Sequence, residues 1–140
     1  MTGHIRSVAM AFVVAAFCLI TSAAMAQSYT GDWPATVTRS QRSNGNYCIK
    51  LTDDGSYGAP HSGEASLIGD NNPYPGYFTV VDGLITVTFT YPSGEGECCA
   101  YQVFTARASD GHIGKGVFNN YLGITDIGLL TFGKKDGCSI

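Results

Sequence analysis

Beyond residue 26 this chain leaves almost no room for a helix. Residues 27–140 carry all but one of its 18 glycines. The longest run free of glycine and proline is Glu97–Asp110. A globular helix needs about 10–12 uninterrupted residues with apolar positions on a 3.6-residue period. Glu97–Asp110 alternates instead, with Tyr101, Val103 and Thr105 on one face and Ala100, Gln102, Phe104 and Ala106 on the other. The same period of two recurs where Ile85, Val87, Phe89 and Tyr91 interleave with Thr86, Thr88 and Thr90, and again around Tyr47–Leu51 and Trp33–Thr38. One apolar and one polar face per segment is the pattern of antiparallel strands with a wet side.

Turn chemistry separates the strands. Asn44-Gly45, Asp54-Gly55, Asp82-Gly83 and Asp110-Gly111 are hairpin signals, because a type I′ turn needs positive φ at both central residues. Looser connections lie at 69–76, 92–96 and 119–126. The cuts leave eight segments, roughly 30–42, 46–53, 58–68, 77–81, 84–91, 97–107, 112–119 and 126–134. Eight short strands at this spacing predict an all-β domain, an eight-stranded antiparallel up-and-down barrel, with a β-sandwich as the alternative. Hairpins in sequence favour the closed meander, which leaves no exposed edge. Its connections alternate between ends. The turns at 54–55, 82–83 and 110–111 close one end, and the connections at 43–45, 69–76, 92–96 and 120–125 form a rim at the other. That rim is rich in Asn71, Asn72, Tyr74, Tyr77, Tyr91, Asn119, Asn120 and Tyr121, and tyrosine couples contact area to a polar tip.

Residues 1–26 have the layout of a cleaved secretory signal. His4 and Arg6 precede the apolar run Val8–Ile20, and Ala24-Met25-Ala26 forms the small-x-small site. The apolar run is well short of the ~20 residues that span a bilayer. The expected mature chain, 27–140, is one domain, secreted or periplasmic, with no membrane span. The net charge of −3 gives no basic face for a phosphate backbone, so nucleic acid is not an expected partner. Cys48, Cys98, Cys99 and Cys138 remain, an even count that reads as disulfides in an exported domain. A bridge between the neighbours Cys98 and Cys99 would strain the peptide, so one or both are expected to pair with Cys48 and Cys138; Cys48, Cys98 and Cys99 all fall near the rim, which suits a Cys48 bridge to Cys98 or Cys99. Cys138, placed after a strand that ends at the closed end, is expected to be out of reach unless the strand count is off by one. There is no CxxC pair, and His61 and His112 lie far in sequence from the cysteines, so neither a metal nor a cofactor is expected.

Gly31-Asp32-Trp33 opening an eight-strand meander resembles the Gly-x-Trp start of the calycin group: lipocalins, avidins and small bacterial metalloprotease inhibitors. The resemblance implies that Trp33 plugs one barrel end beneath a basic residue from the last strand, here Lys134 or Lys135. Tyr29–Trp33 is similar to avidins, although Trp33 is the only tryptophan. Cys48-Ile49-Lys50-Leu51 resembles the inhibitors' second strand, but only Gln27–Thr30 would precede Gly31 as an arm. A barrel of eight strands holds side chains or one small ligand. The expected function is therefore binding of a small apolar or amphipathic ligand in an interior lined by Trp33, Val37, Tyr47, Ile49, Phe78, Ile85, Phe89, Tyr101 and Val117. Trp33, Tyr47, Tyr77, Phe89, Tyr91, Tyr101 and Tyr121 are the candidate ligand contacts. The alternative is a protein-binding module or protease inhibitor that acts on a secreted protein through its rim loops. No GxSxG or HExxH motif occurs, and the His61-Ser62 and Asp110/His112 clusters sit beside turns, so catalysis is not expected.

Overall fold

The computed structural model describes residues 27–69, 75–91, 100–121 and 123–139. The proposed signal, Cys98, Cys99, Asn71, Asn72 and Tyr74 lie outside them. Among the described residues eight strands follow one another with no helix between: β1 (Gly31–Arg39), β2 (Gly45–Asp53), β3 (His61–Leu67), β4 (Gly76–Val81), β5 (Leu84–Tyr91), β6 (Ala100–Ser109), β7 (His112–Tyr121) and β8 (Thr125–Phe132). Each is antiparallel to the next, and β8 returns to β1 through Ala35↔Phe132 to Arg39↔Gly128, which closes the barrel.

Two of the four expected tight turns form as read. Asp82 and Gly83 have φ of 50° and 73°, and Asp110 and Gly111 have 49° and 72°, as the right-handed twist of a two-residue hairpin demands. The other two differ. Asn44-Gly45 is not a turn centre: Gly45 already belongs to β2, and the Asn44 side chain accepts a hydrogen bond from the Arg39 amide (3.2 Å). Asp54-Gly55 opens a seven-residue loop, braced by Asp54 and Gly55 amides that both donate to the Ser62 carbonyl.

The inward face is filled. Trp33, Val37, Ile49, Leu51, Phe78, Ile85, Val87, Phe89, Phe104, Phe118 and Leu130 are fully buried. Phe104 is the hub of the aromatic packing, with its ring 5.0 Å from Phe118, 5.2 Å from Tyr47 and 6.1 Å from Phe89. Each such side chain contributes about 1.5–3 kcal/mol by leaving water. Two expected lining residues are on the other side of the wall. Tyr101 pairs with Tyr121 on the outer face, and Val117 is exposed. Their neighbours Gln102 and Phe118 take the inward positions, because side chains alternate strictly along a strand.

The disulfide also departs from the expectation. Cys48 bridges to Cys138. β8 does not run to the closed end: it stops at Phe132, opposite Ala35 in the middle of β1. The chain then reverses through Lys134–Gly137, where the Gly137 amide donates to the Lys134 carbonyl. It crosses the outside of β1 at Pro34, whose carbonyl accepts from the Gly133 amide. Pro34 lies opposite Cys48 in the β1–β2 register, so the tail arrives on top of Cys48. Gly31 accommodates this return: its φ is 147°, and a Cβ there would meet the Lys135 and Asp136 side chains at 2.6 and 2.8 Å.

Candidate functional site

The two ends of the barrel differ in chemistry. At the closed end, residues 27–30 fold across the opening. The Trp33 indole donates to the Tyr29 carbonyl (2.9 Å), and the Tyr29 amide donates to Asp53 Oδ2 (3.1 Å). Asp53 Oδ2 also lies 2.7 Å from His61 Nδ1, and the Tyr29 ring meets the His61 ring edge-on at 5.2 Å. Lys135 Nζ reaches the Ser28 carbonyl (3.5 Å). The hydroxyls near the Asp53–His61 pair are engaged elsewhere: the Ser62 hydroxyl donates to the Ala59 carbonyl and accepts from the Tyr57 amide, and Thr30 Oγ1 accepts from the Asp53 amide (2.9 Å) and the Ser28 hydroxyl (3.1 Å). This end is a plug.

The mouth end carries a layer of inward-facing polar side chains above the aromatic core. Each extends the buried alternation of its own strand: Arg39 follows Val37, Gln102 precedes Phe104, Asn120 follows Phe118, and Asp126 precedes Gly128 and Leu130. The register sets Gln102 beside Asn120 and Asn120 beside Asp126, so three strands present them in one row. Gln102 Oε1 accepts from the Tyr91 hydroxyl (2.9 Å). Arg39 Nη2 donates to the Tyr47 hydroxyl, and the guanidinium lies over the Phe118 ring at 5.0 Å and the Tyr47 ring at 5.8 Å. Asp126 Oδ1 accepts a long contact from the Ser40 hydroxyl (3.4 Å).

Other atoms in that layer have no hydrogen-bond partner among the described residues. Arg39 Nε stands 4.0 Å from Asp126 Oδ2, beyond hydrogen-bond range, and neither atom has another partner among the described residues. Asn120 is 0% exposed, and both ends of its carboxamide are unpartnered. Over nine in ten buried polar groups in native proteins are bonded, to protein or to ordered water, and one bonded to neither costs about 1–3 kcal/mol. Four such atoms in one layer are the feature of this molecule most in need of a chemical account.

The candidate contacts read from the sequence divide between interior and exterior. Trp33 belongs to the plug and Phe89 to the core. Tyr47 and Tyr91 reach the mouth layer. Tyr77 is on the outer wall, 42% exposed, with its ring 5.4 Å from Tyr57, and Tyr101 and Tyr121 stack outside at 6.0 Å. The structure therefore does not bring the seven together. Arg39, Gln102 and Asp126 are not among the residues the sequence pattern singles out, and Asn120 is among them only as a rim residue. The signal for all four was a polar side chain on the inward parity of a strand end.

The outer wall holds a second feature. Val117, Ile127 and Leu129 are 57%, 59% and 71% exposed. They flank Gly128 in a shallow groove of about 440 Å³ with Thr38 and Asn119. A groove of about 410 Å³ lies beside the disulfide. Among the described residues no three His, Cys, Asp or Glu side chains gather as a metal site, and no helix is long and apolar enough to cross a membrane. No protein-family model, curated protein or solved structure matches this chain.

Proposed function

We propose that residues 27–140 form an exported, non-catalytic binding protein of the calycin type, which holds a small polar or amphipathic ligand at the loop-bearing mouth of the barrel. The observation that carries this is the buried mouth layer of Arg39, Gln102, Asn120 and Asp126 with unpartnered hydrogen-bonding atoms. Binding sites combine an apolar floor with a few convergent polar groups, and here the Phe104–Phe118 cluster is the floor. A wholly apolar ligand deeper inside is less well supported, because Phe78, Phe89 and Phe104 occupy that space. Export is supported by the Cys48–Cys138 bridge, a bond that persists in oxidising compartments, and calycin kinship by Gly31-Asp32-Trp33 at the start of a closed eight-strand meander.

The outer groove supports a second reading, recognition of a partner protein. Contiguous exposed apolar side chains on a soluble domain mark interaction surfaces, and Val117, Ile127 and Leu129 are adjacent. Amide NMR spectra of the mature protein, titrated with a panel of small polar and lipophilic compounds, separate the readings. The mouth reading expects shifts confined to the backbone amides of Arg39, Gln102, Asn120 and Asp126 and the side-chain N–H signals of Arg39, Gln102 and Asn120. Shifts centred on Phe78, Val87 and Phe89 would place the ligand in the deep interior and overturn it. A partner protein that perturbs only Val117, Ile127 and Leu129, with the mouth silent to every compound, would establish the second reading.

A further inference from the structure

The tail that follows β8 is fastened at two points. The Gly133 amide donates to the Pro34 carbonyl (2.8 Å), and Cys138 is bonded to Cys48. Between those points the tail runs across the start of β1. The Asp136 amide donates to the Asp32 carbonyl (2.6 Å), and the Asp32 amide donates to Asp136 Oδ1 (3.0 Å). Lys135 Nζ reaches the Ser28 carbonyl (3.5 Å). That carbonyl and the Tyr29 amide belong to one peptide group, and its N–H donates to Asp53 Oδ2 (3.1 Å) on β2. The plug is therefore gripped from two sides, by β2 and by the tail. The tail's own path is not a relaxed one. Asp136 holds a φ of 58°, which L-residues seldom adopt unless held.

We propose that the Cys48–Cys138 bridge is a redox clasp on the closed end of the barrel. Oxidised, it holds the tail against Ser28 and Asp32 and keeps the plug seated. Reduced, it leaves the tail with exposed hydrogen bonds of small net worth, and residues 27–30 open away from Trp33. The bridge is within reach of a reductant. Cys48 and Cys138 are half-buried, Gly137 and Ser139 beside Cys138 are exposed, and a groove of about 410 Å³ borders both cysteines. The co-reactant is a dithiol. Its first thiolate attacks Cys138 Sγ, forming a mixed disulfide as the Cys48–Cys138 bond breaks, and Cys48 leaves as a thiolate that takes up a proton. Its second thiolate attacks the reductant's own sulfur in the mixed disulfide and expels Cys138, which is likewise protonated. The dithiol ends as a disulfide and the bridge as two thiols. The clasp is independent of what the mouth binds.

Trp33 is the single tryptophan, so its indole N–H gives one NMR signal, and that proton is bonded to the Tyr29 carbonyl (2.9 Å). Its hydrogen exchange reports opening of the plug. Reduction of the natural protein with dithiothreitol is expected to speed this exchange by about tenfold, and to speed the β4–β5 amides by less. The double variant Cys48→Ser/Cys138→Ser leaves the other cysteines in place and is expected to match the reduced protein. Asp136→Gly removes the Asp32 contact with the bridge intact, and is expected to speed the indole proton too. Reduction should add little to that variant, because both changes undo the same grip. A bridge that resists dithiothreitol until urea unfolds the barrel overturns the redox role. An indole proton unmoved in the reduced, folded protein overturns the clasp. So does one accelerated by the same factor as the β4–β5 amides, since the bridge then holds the whole barrel and not the closed end. Should the reduced chain and the double variant fail to fold, Asp136→Gly decides: unchanged indole exchange there overturns the inference.

Discussion

Tyr29 holds the plug of the closed end through three groups at once. Its carbonyl takes the Trp33 indole proton, its amide reaches Asp53, and its ring stands against His61. The phenol is buried, and its pKa lies above the usual 10.0 chiefly because burial disfavours the phenolate. A backbone hydrogen bond from Gly111 opposes the rise, and the Asp110 and Asp53 carboxylates add to it. The unfolded chain therefore ionises first as pH rises. Stability linked to Tyr29 is intact below pH ~10 and is lost above it, up to the higher pKa of the folded state. Urea unfolding between pH 8 and 11 should show this decline in the natural protein and a shallower one in Tyr29→Phe. Identical alkaline slopes in the two proteins would mean that Tyr29 titrates freely and that the plug is open in solution.

At the level of strands and turns, the two type I′ hairpins offer a matched comparison. Gly83 and Gly111 have nearly the same positive φ, 73° and 72°, so an alanine at either incurs the same left-handed strain of about 1–2 kcal/mol. Their surroundings differ. A Cβ at Gly83 finds its nearest neighbour at 3.6 Å, whereas one at Gly111 meets the Gln27 side chain at 2.7 Å. Gly111→Ala should therefore destabilise more than Gly83→Ala in urea titrations, and deletion of Gln27 should bring the two together. Equal costs in the protein that retains Gln27 would detach the N-terminal segment from that turn. These two turns were legible because Asp-Gly suits the positive φ of a two-residue hairpin, but the dipeptide does not decide loop length: Asp54-Gly55 opens a seven-residue loop instead. Asn44-Gly45 misled because the same dipeptide also suits a strand entry, where Asn44 bonds backward to Arg39. Strand existence was equally legible, from period-two alternation. Strand facing was not, wherever apolar side chains occupy both parities. Tyr101 competes with Phe104, and Val117 adjoins Phe118. The register shift opposite Ala106–Ala108 places one extra residue in β7 between Ile113 and Gly116, so β7 changes parity partway along: Ile113 is buried at one parity, Phe118 and Asn120 at the other. The mouth layer escaped notice for a related reason. Arg39, Gln102 and Asp126 are polar residues in inward positions, and hydropathy alone assigns such residues to solvent.

Across the whole barrel, seven of the eight strand pairs join neighbours in sequence, and only β1–β8 brings distant parts of the chain together. Local hairpins close small loops at little entropic cost, whereas the seam must close nearly the entire domain. The Cys48–Cys138 bridge lies beside that seam and spans 90 residues. It ties the tail that follows β8 onto β2, across the outside of β1, so it shrinks the unfolded ensemble for the one contact that chain entropy most opposes. Native disulfides typically contribute about 2–4 kcal/mol, and a loop of this length belongs at the upper end of that range. Cys138→Ser should lower the urea midpoint accordingly and increase the denaturant slope, because the unfolded chain is then free to expand. The loss should appear mainly as weakened protection of β1 and β8 amides in hydrogen exchange, with the β4–β5 hairpin last to open. Reduction of the natural protein should reproduce the variant. A melting temperature indifferent to both treatments would mean that the seam closes without the bridge, and that the return of the tail over Pro34 is held by backbone hydrogen bonds alone.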